Sequence, residues 1–203
     1  VDDPRVSHYR LTAHLSLAFL IVVAMFWLAL GLLAERARHT ADAALRGLQR
    51  GGFWLTILVA YMVVSGGFVA GIRAGKAYNT FPLMNGHVLP PESFIIEPWY
   101  LNFFNNIALV QFDHRLGAWL LAFLVPWFWW KIRAAGVSAA ARRAATLLVA
   151  VLFAQILLGI ATLLLLVPVG LGAAHQGGAM VVLGVLLWLN HELRVAPASG
   201  DAS

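Results

Sequence analysis

The chain has 203 residues, of which 61% are hydrophobic and only 11% are charged, and its mean hydropathy is +0.80. This composition excludes an ordinary water-soluble domain and indicates a membrane protein. The absence of cysteine excludes a disulfide framework and any cysteine-ligated metal centre, so a metal would need His, Met or carboxylate ligands. The formal charge of +5 does not indicate a nucleic-acid partner, because membrane topology explains the 14 Lys and Arg residues.

Five stretches are apolar over the roughly 20 residues that a helix needs to cross the hydrocarbon core of a bilayer. They cover residues 11–34, 53–72, 107–130, 144–167 and 171–189. The sequence therefore predicts an all-α membrane protein with five transmembrane helices. We expect the last four to form a four-helix bundle.

The basic residues are distributed unequally between the two sides of the membrane. Nine lie between the first two helices, between the third and fourth, and in the tail, whereas four lie on the opposite side and Arg115 lies inside the third helix. Cytoplasmic loops carry the excess of Lys and Arg. We therefore expect the N-terminus outside and the C-terminus in the cytoplasm or the mitochondrial matrix.

The longest segment outside the predicted helices is the outer loop, residues 73–106. Its four prolines, Pro82, Pro90, Pro91 and Pro98, make a continuous helix unlikely. Its many apolar side chains disfavour disorder, so we expect the loop to fold back as a lid over the outer ends of the helices. The alternative is an interfacial segment that rests on lipid headgroups.

Three histidines lie within predicted helices, where an ionisable group is costly and is by default a functional candidate. They are His14, His114 and His175, and the topology places all three at a similar depth near the outer side. Histidines from separate helices, without cysteine, suit a haem iron with two axial imidazoles better than zinc. The alternative is that each histidine is an interhelical hydrogen-bonding residue.

The neighbours of these histidines favour a haem site inside the four-helix bundle. His175 is surrounded by small residues, which allow a bulky flat group to approach the helix backbone. Arg115 follows His114 directly, and its cation suits an acidic group such as a haem propionate. Arg10 precedes His14 by four residues and therefore lies on the same helical face.

The remaining histidines carry weaker signals. We expect His39 and His191, at the inner side, to be solvated or interfacial. His87 follows Asn85 and Gly86 in a predicted turn and is a minor candidate for a ligand contact under the lid.

Two further polar features favour structural interpretations. Asp113 is a candidate for proton transfer, but an ion pair with Arg115 or Lys76 is the favoured interpretation. The fourth helix carries a stripe of small and polar residues for which close packing is favoured over chemistry. Its members are Gln155, Gly159 and Thr162.

The first and fifth predicted helices share a layout, because each has a histidine about one turn in, followed by an apolar run. Residues 1–35 are therefore interpreted as the last helix of a truncated N-terminal four-helix bundle, followed by a cytoplasmic loop at 36–51. Residues 52–192 form the C-terminal haem-binding bundle, with the outer loop at 73–106, and 193–203 form a cytoplasmic tail. The chain is expected to be the C-terminal part of a longer protein.

Several separated motifs resemble the haem A synthase family, and they extend over nearly the whole chain except the tail. They are Ser7-His8-Tyr9-Arg10-Leu11-Thr12-Ala13-His14-Leu15, Gly66-Gly67-Phe68-Val69-Ala70-Gly71-Ile72-Arg73-Ala74-Gly75, Tyr78-Asn79-Thr80-Phe81-Pro82-Leu83-Met84, Val110-Gln111-Phe112-Asp113-His114-Arg115 and Ala174-His175-Gln176. Their order matches the proteobacterial and mitochondrial type, which agrees with the lack of cysteine.

This resemblance implies eight helices in two related bundles, and oxidation of a methyl group of haem O to the formyl group of haem A for cytochrome oxidase assembly. It implies that His114 and His175 are the axial ligands of a haem b cofactor, with Arg115 beside them. His14 would ligate the iron of the substrate haem, with Arg10 nearby. The catalytic glutamate of the family has no counterpart in this chain, so we expect the chain alone to bind haem b without turning over haem O.

The resemblance also implies a bacterial cell membrane or mitochondrial inner membrane location. Its implied partners are haem O, haem O synthase and other cytochrome oxidase assembly factors. Two alternatives remain open from the residues alone. One is a non-catalytic b-type haem protein with two histidine ligands, acting as an electron carrier or an assembly module, and the other is a small membrane protein without a cofactor.

Overall fold

A computed structural model describes residues 7–33 and 43–194 of the chain. Five long helices dominate this part, and each is long and apolar enough to cross a membrane. The prediction of an all-α membrane protein with five transmembrane helices is thus confirmed. The helices are α1 (His8–Leu33), α2 (Ala43–Gly71), α3 (Ile107–Ala134), α4 (Ala139–Leu164) and α5 (Val169–Glu192).

Helices α2 to α5 form a closed four-helix arrangement. Helix α2 packs against α3, α3 against α4, α4 against α5, and α5 returns to α2. Helix α1 lies outside this ring and contacts α2 and α5. In the most apolar 18-residue stretch of α1, only 6% of the residues are buried, compared with 33% in the corresponding stretch of α2. The predicted bundle of the last four helices is therefore present, with α1 as an outer neighbour.

The core of the bundle is a single cluster of apolar side chains from all four helices, including Leu55, Leu121, Leu148 and Leu186. Because lipid is as apolar as leucine, tight packing and interhelical hydrogen bonds have to hold such helices together. One such bond joins α5 to α2, where the Asn190 amide donates to the Thr56 hydroxyl at 2.7 Å.

Side chains at the helix starts satisfy backbone N–H groups that have no partner within the helix. The Asn106 side chain accepts from Ala108 N at 2.9 Å and from Leu109 N at 3.2 Å, which begins α3. The Ser138 hydroxyl accepts from Ala141 N at 3.0 Å and begins α4.

At the end of the bundle opposite the outer loop, the helices extend further than hydropathy predicts. Helix α2 begins at Ala43, so residues 43–51, which the sequence predicts to be a cytoplasmic loop, are helical. The physical reason is that Leu45 and Leu48 are buried in the core although Arg46 and Gly47 separate them. Hydropathy averaging loses such an amphipathic extension.

The start of α4, at the same end of the bundle as the start of α2, shows the same effect. Helix α4 begins at Ala139 rather than at residue 144, because Ala141 and Ala144 are fully buried against the bundle.

Parts of three predicted segments lie outside the described residues. They are positions 1–6, positions 34–42 with His39, and the tail positions 195–203.

The outer loop contains three short 3-10 turns and a four-residue helix, Asn102–Asn105, and no continuous helix. Its Tyr78 and Met84 pack with Ala108 of α3 in a second, small core. This half of the loop therefore folds back over the outer end of α3, as predicted. The other half keeps apolar side chains exposed, as expected for an interfacial segment; they include Phe94, Ile95, Trp99 and Phe103.

Candidate functional site

The structure brings His114 and His175 together near the end of the bundle at which residues 73–106 lie. Their ring centres are 6.5 Å apart and their planes are tilted by 76°. They belong to α3 and α5, two helices that both pack against α2 and α4. Two imidazoles from non-consecutive helices therefore lie beside each other, edge to face, inside the apolar bundle.

A hydroxyl group on α2 orients the first of these rings. The oxygen of Ser65 is 2.9 Å from Nδ1 of His114 and also 3.2 Å from the carbonyl oxygen of Met62. Its side chain is buried. The contact at Nδ1 leaves the other ring nitrogen, Nε2, available for a ligand bond.

Each imidazole also lies against a glycine of a neighbouring helix. A Cβ atom at Gly66 would be 3.2 Å from Cε1 of His114, and a Cβ atom at Gly159 would be 2.7 Å from Cε1 of His175. The second distance is too short for any side chain unless the ring moves. These two glycines therefore make the space that the rings occupy.

The second histidine is held by a hydrogen bond to its main chain and not to its ring. The Gln155 amide on α4 donates to the main-chain oxygen of His175 at 2.7 Å. Nδ1 of His175 and Oε1 of Gln155 are both buried and have no hydrogen-bond partner within residues 7–33 and 43–194. The predicted close packing of the α4 stripe is thus observed, and its packing partner is the candidate site itself.

Arg115 fastens the outer loop to α3. Its guanidinium group donates to the carbonyl oxygen of Tyr78 at 2.7 Å and to the Gln111 side chain at 2.8 Å, with longer contacts to the carbonyl oxygens of Pro82 and Leu83. Its Nε is buried and has no partner among the described residues. Contact of this one remaining N–H group with a cofactor stays a prediction.

A tyrosine–carboxylate pair joins two parts of the same loop. The Tyr78 hydroxyl donates to the Glu92 carboxylate. Burial and, to a lesser degree, this carboxylate raise the pKa of Tyr78 to about 12. The same hydrogen bond lowers the pKa of Glu92 below its ordinary value. The loop segment beside Arg115 is therefore held by two polar contacts.

His14 and Arg10 lie elsewhere, on an exposed face of α1. They do not join the His114–His175 pair. The same helix is tied to the end of the outer loop, since His8 Nε2 lies 2.9 Å from Asn105 Oδ1 and the Tyr9 hydroxyl donates to that oxygen at 3.1 Å.

The structure corrects two minor predictions. His191 is buried and meets the Trp27 ring edge-on, so the predicted solvated or interfacial position is wrong. Asp113 forms no ion pair with Arg115 or Lys76 within the described ranges, because Arg115 is engaged by the loop.

His87 occupies the turn that the sequence predicted. It pairs with Met84 across a two-residue turn in which Asn85 and Gly86 have φ angles of 50° and 89°. Its side chain is exposed. The structure therefore does not place His87 at the imidazole pair.

Sequence reasoning missed Ser65, Gly66 and the contact role of Gly159. The available signal was a Ser-Gly-Gly run at positions 65–67, near the outer end of an apolar helix and so at the depth of the histidines. Small residues in a transmembrane helix mark close approach by a neighbour. Which neighbour approaches cannot be read from one helix alone.

The residues of the pair fit a haem iron. Two imidazoles on opposite sides of one metal ion, with metal–nitrogen bonds of about 2.0 Å, have ring centres about 6 Å apart, close to the 6.5 Å observed. In the described part of the chain, no group of three or more His, Asp or Glu residues could hold a metal ion. A haem iron needs only two protein ligands, because the porphyrin supplies the others.

Fold and site together define a multi-pass membrane bundle with a pair of histidines inside it. The sequence matches the COX15-CtaA family, described as cytochrome oxidase assembly protein, over residues 1–187. The chain therefore belongs to this family. No solved structure was found to match it.

Proteins named heme A synthase are among the curated relatives. The protein of Nitrosospira multiformis is 61% identical over 194 residues, which cover 96% of this chain and 54% of that protein. Heme A synthase COX15 of Bos taurus is 40% identical over 196 residues, covering 97% of this chain and 48% of that protein. Heme A synthase COX15 of Arabidopsis thaliana is likewise 40% identical, with 95% and 43% covered. The chain thus spans about half the length of the curated relatives it matches.

Proposed function

We propose that this chain forms the haem b-binding part of a haem A synthase. The whole protein would be an oxidoreductase that converts the methyl group of haem O to the formyl group of haem A. The observation that carries the proposal is the pair of imidazoles 6.5 Å apart inside a transmembrane bundle. The curated relatives named heme A synthase support the choice of reaction.

In this proposal His114 and His175 hold the haem iron from two helices. The haem supplies one-electron redox chemistry when bound. Ser65 orients one ligand, and Gly66 and Gly159 leave space for the rings. His114 and His175 would be the residues that hold the group, each in contact with a glycine of a neighbouring helix.

His14 and Arg10 are proposed to serve a second haem, the haem O substrate. Both lie on the face of α1 that the bundle leaves exposed. A substrate site there would need further protein, which agrees with the coverage of about half of each relative. Haem O synthase and cytochrome oxidase assembly factors are the proposed partners of the whole protein.

The proposed orientation places the start of α1 outside and the end of α5 in the cytoplasm or matrix. Lys131 and Arg133, at the end of α3, lie over the Trp127 and Trp129 rings on the proposed inner side. Basic and aromatic residues at this boundary agree with the positive-inside rule and with an interfacial aromatic belt.

The test is a reduced-minus-oxidised absorption spectrum of the purified chain supplied with haem b. We expect a low-spin b-type spectrum that is lost in both His114→Ala and His175→Ala. His87→Ala is the matched control, because this exposed loop histidine lies outside the pair. A folded wild-type chain that stays colourless would contradict the proposal.

A non-catalytic haem protein with two histidine ligands is the second candidate. It is favoured by the fact that both proposed ligands of one haem lie in this chain. Assay of the full-length protein separates the two: conversion of haem O to haem A supports the synthase, whereas a normal b-type spectrum without conversion supports an electron carrier.

A further inference from the structure

The Ser65 hydroxyl lies between two hydrogen-bonding groups inside the bundle. Its oxygen is 2.9 Å from Nδ1 of His114 and 3.2 Å from the carbonyl oxygen of Met62. The Ser65 side chain is only 6% exposed. Bulk water therefore does not compete for these contacts, and they fix one nitrogen of the His114 ring.

The direction of these hydrogen bonds follows from counting protons. A serine hydroxyl has one proton, and a carbonyl oxygen can only accept. When the Ser65 hydroxyl donates to the Met62 carbonyl, its oxygen is free to accept the N–H of His114 Nδ1. A neutral imidazole has a single N–H, so its Nε2 is left with a bare lone pair. This is the tautomer that a ligand bond through Nε2 requires.

The second imidazole has no equivalent contact in the part of the chain that the structure describes. There, Nδ1 of His175 is buried without a hydrogen-bond partner, and the neighbouring Gln155 amide is directed to the His175 main-chain oxygen. The two rings are thus held unequally. A hydrogen bond to the ring can therefore alter the strength of His114 as a ligand but not that of His175.

We propose that Ser65 is a positioning residue that fixes the tautomer and the electron-donating strength of His114 as a haem ligand. The proposal rests on the proposed haem site. An imidazole that donates its second N–H is a more basic ligand, and a more basic ligand stabilises the oxidised iron. Removal of the Ser65 hydroxyl should therefore raise the haem reduction potential.

The experiment is a redox titration of the haem-loaded chain, followed by its absorption spectrum, for wild type, Ser65→Ala and Ser65→Thr. We expect Ser65→Ala to raise the reduced-to-oxidised ratio at fixed potential about threefold, which is about 30 mV at 59 mV per tenfold for one electron. Ser65→Thr retains the hydroxyl and should keep the wild-type potential.

Thr56→Ala is the matched control on the same helix. It removes the hydrogen bond with Asn190 but lies nine residues from Ser65, about 13 Å along the helix. A general loosening of the α2–α5 contact would shift the potential in this variant too. We expect no shift.

Two results would overturn the proposal: a wild-type potential in Ser65→Ala, or equal shifts in Ser65→Thr and Ser65→Ala. If Ser65→Ala does not retain haem, Ser65→Thr decides, since a wild-type potential supports the hydroxyl role and a shifted one refutes it. A wild-type chain without any haem spectrum refutes the haem site itself, and this differs from a haem-loaded chain with an unchanged potential.

Discussion

The His114–His175 pair and His14 share a residue type and lie seven or eight residues into their helices, yet their surroundings differ. Each paired ring lies against a glycine, and one is hydrogen-bonded to a buried serine. His14 is exposed on the outer face of α1. An intramembrane histidine is thus only a candidate; the facing residues of neighbouring helices make the site.

The largest expected effect comes from filling the space behind one ring. In Gly159→Ala the new Cβ would be 2.7 Å from His175 Cε1, so the ring must leave its present position. Overpacking of this kind costs about 1–3 kcal/mol, which corresponds to an about 5- to 140-fold weaker Kd for haem b at about 1.4 kcal/mol per tenfold. Haem titration of the purified chain measures this.

Two further glycines grade this prediction. Gly66→Ala, at 3.2 Å from His114, should weaken binding less, and Gly47→Ala, with no atom within 4 Å and far from the pair on α2, should leave it unchanged. Equal Kd values for Gly159→Ala and Gly47→Ala would show that the glycine contact does not shape the site.

The second-largest effect is expected on the stability of the outer loop, residues 73–106, which Arg115 contacts beside the histidine pair. Arg115→Ala removes the hydrogen bond that holds the loop at Tyr78, together with the bond to Gln111 of α3 that orients the guanidinium group. Hydrogen bonds of charged groups are worth about 1.5–3 kcal/mol, so hydrogen exchange of the loop amides near residues 76–84 should be about 10- to 100-fold faster. The control is Arg133→Ala, whose guanidinium lies over Trp129 at the opposite end of α3. Equal exchange in wild type and Arg115→Ala would refute the anchor.

A smaller effect is expected from pH. The folded pKa of Tyr78 is raised to about 12 from 10.0, so its contribution to loop stability is complete below pH 10 and is lost as the pH rises through 12. The lowered pKa of Glu92 has the opposite consequence: its contribution is present above 4.5 and is lost as the pH falls through the lowered value.

Ultraviolet titration of the tyrosines tests this pair. The tyrosine that titrates near pH 12 should vanish in Tyr78→Phe. In Glu92→Gln the same group should titrate earlier while remaining above 10, because burial is the larger cause of the shift. A titration curve that Tyr78→Phe leaves unaltered would contradict the assignment.

The smallest effect on haem binding is expected from a substitution on α1. His14→Ala should leave the haem b spectrum and Kd of this chain unchanged, because His14 is exposed and outside the pair. His175→Ala measured in parallel should lose the spectrum. A comparable loss in His14→Ala would show that the two regions are not independent.

Much of the architecture could be predicted from the sequence alone. Length and hydropathy determine the five helices because lipid offers the backbone no hydrogen-bond partners. The depth of the histidines follows from their position in those helices. The Asn85-Gly86 turn follows from local backbone preference, since both residues adopt positive φ readily.

Other features were decided only by tertiary structure. Helix α2 extends inward to Ala43 because buried Leu45 and Leu48 contact the bundle core, and hydropathy averaging does not see that contact. Arg115 binds loop carbonyls because the loop folds over α3, which no local pattern encodes.

The site itself shows the same division. The sequence determined that His114 and His175 lie at matching depths in apolar helices. Ser65 contacts one ring and Gly159 the other because of the orientation that α2 and α4 have about their own helix axes in the bundle. Helix rotation is set by packing between segments distant in sequence, so periodicity within a single helix does not specify it.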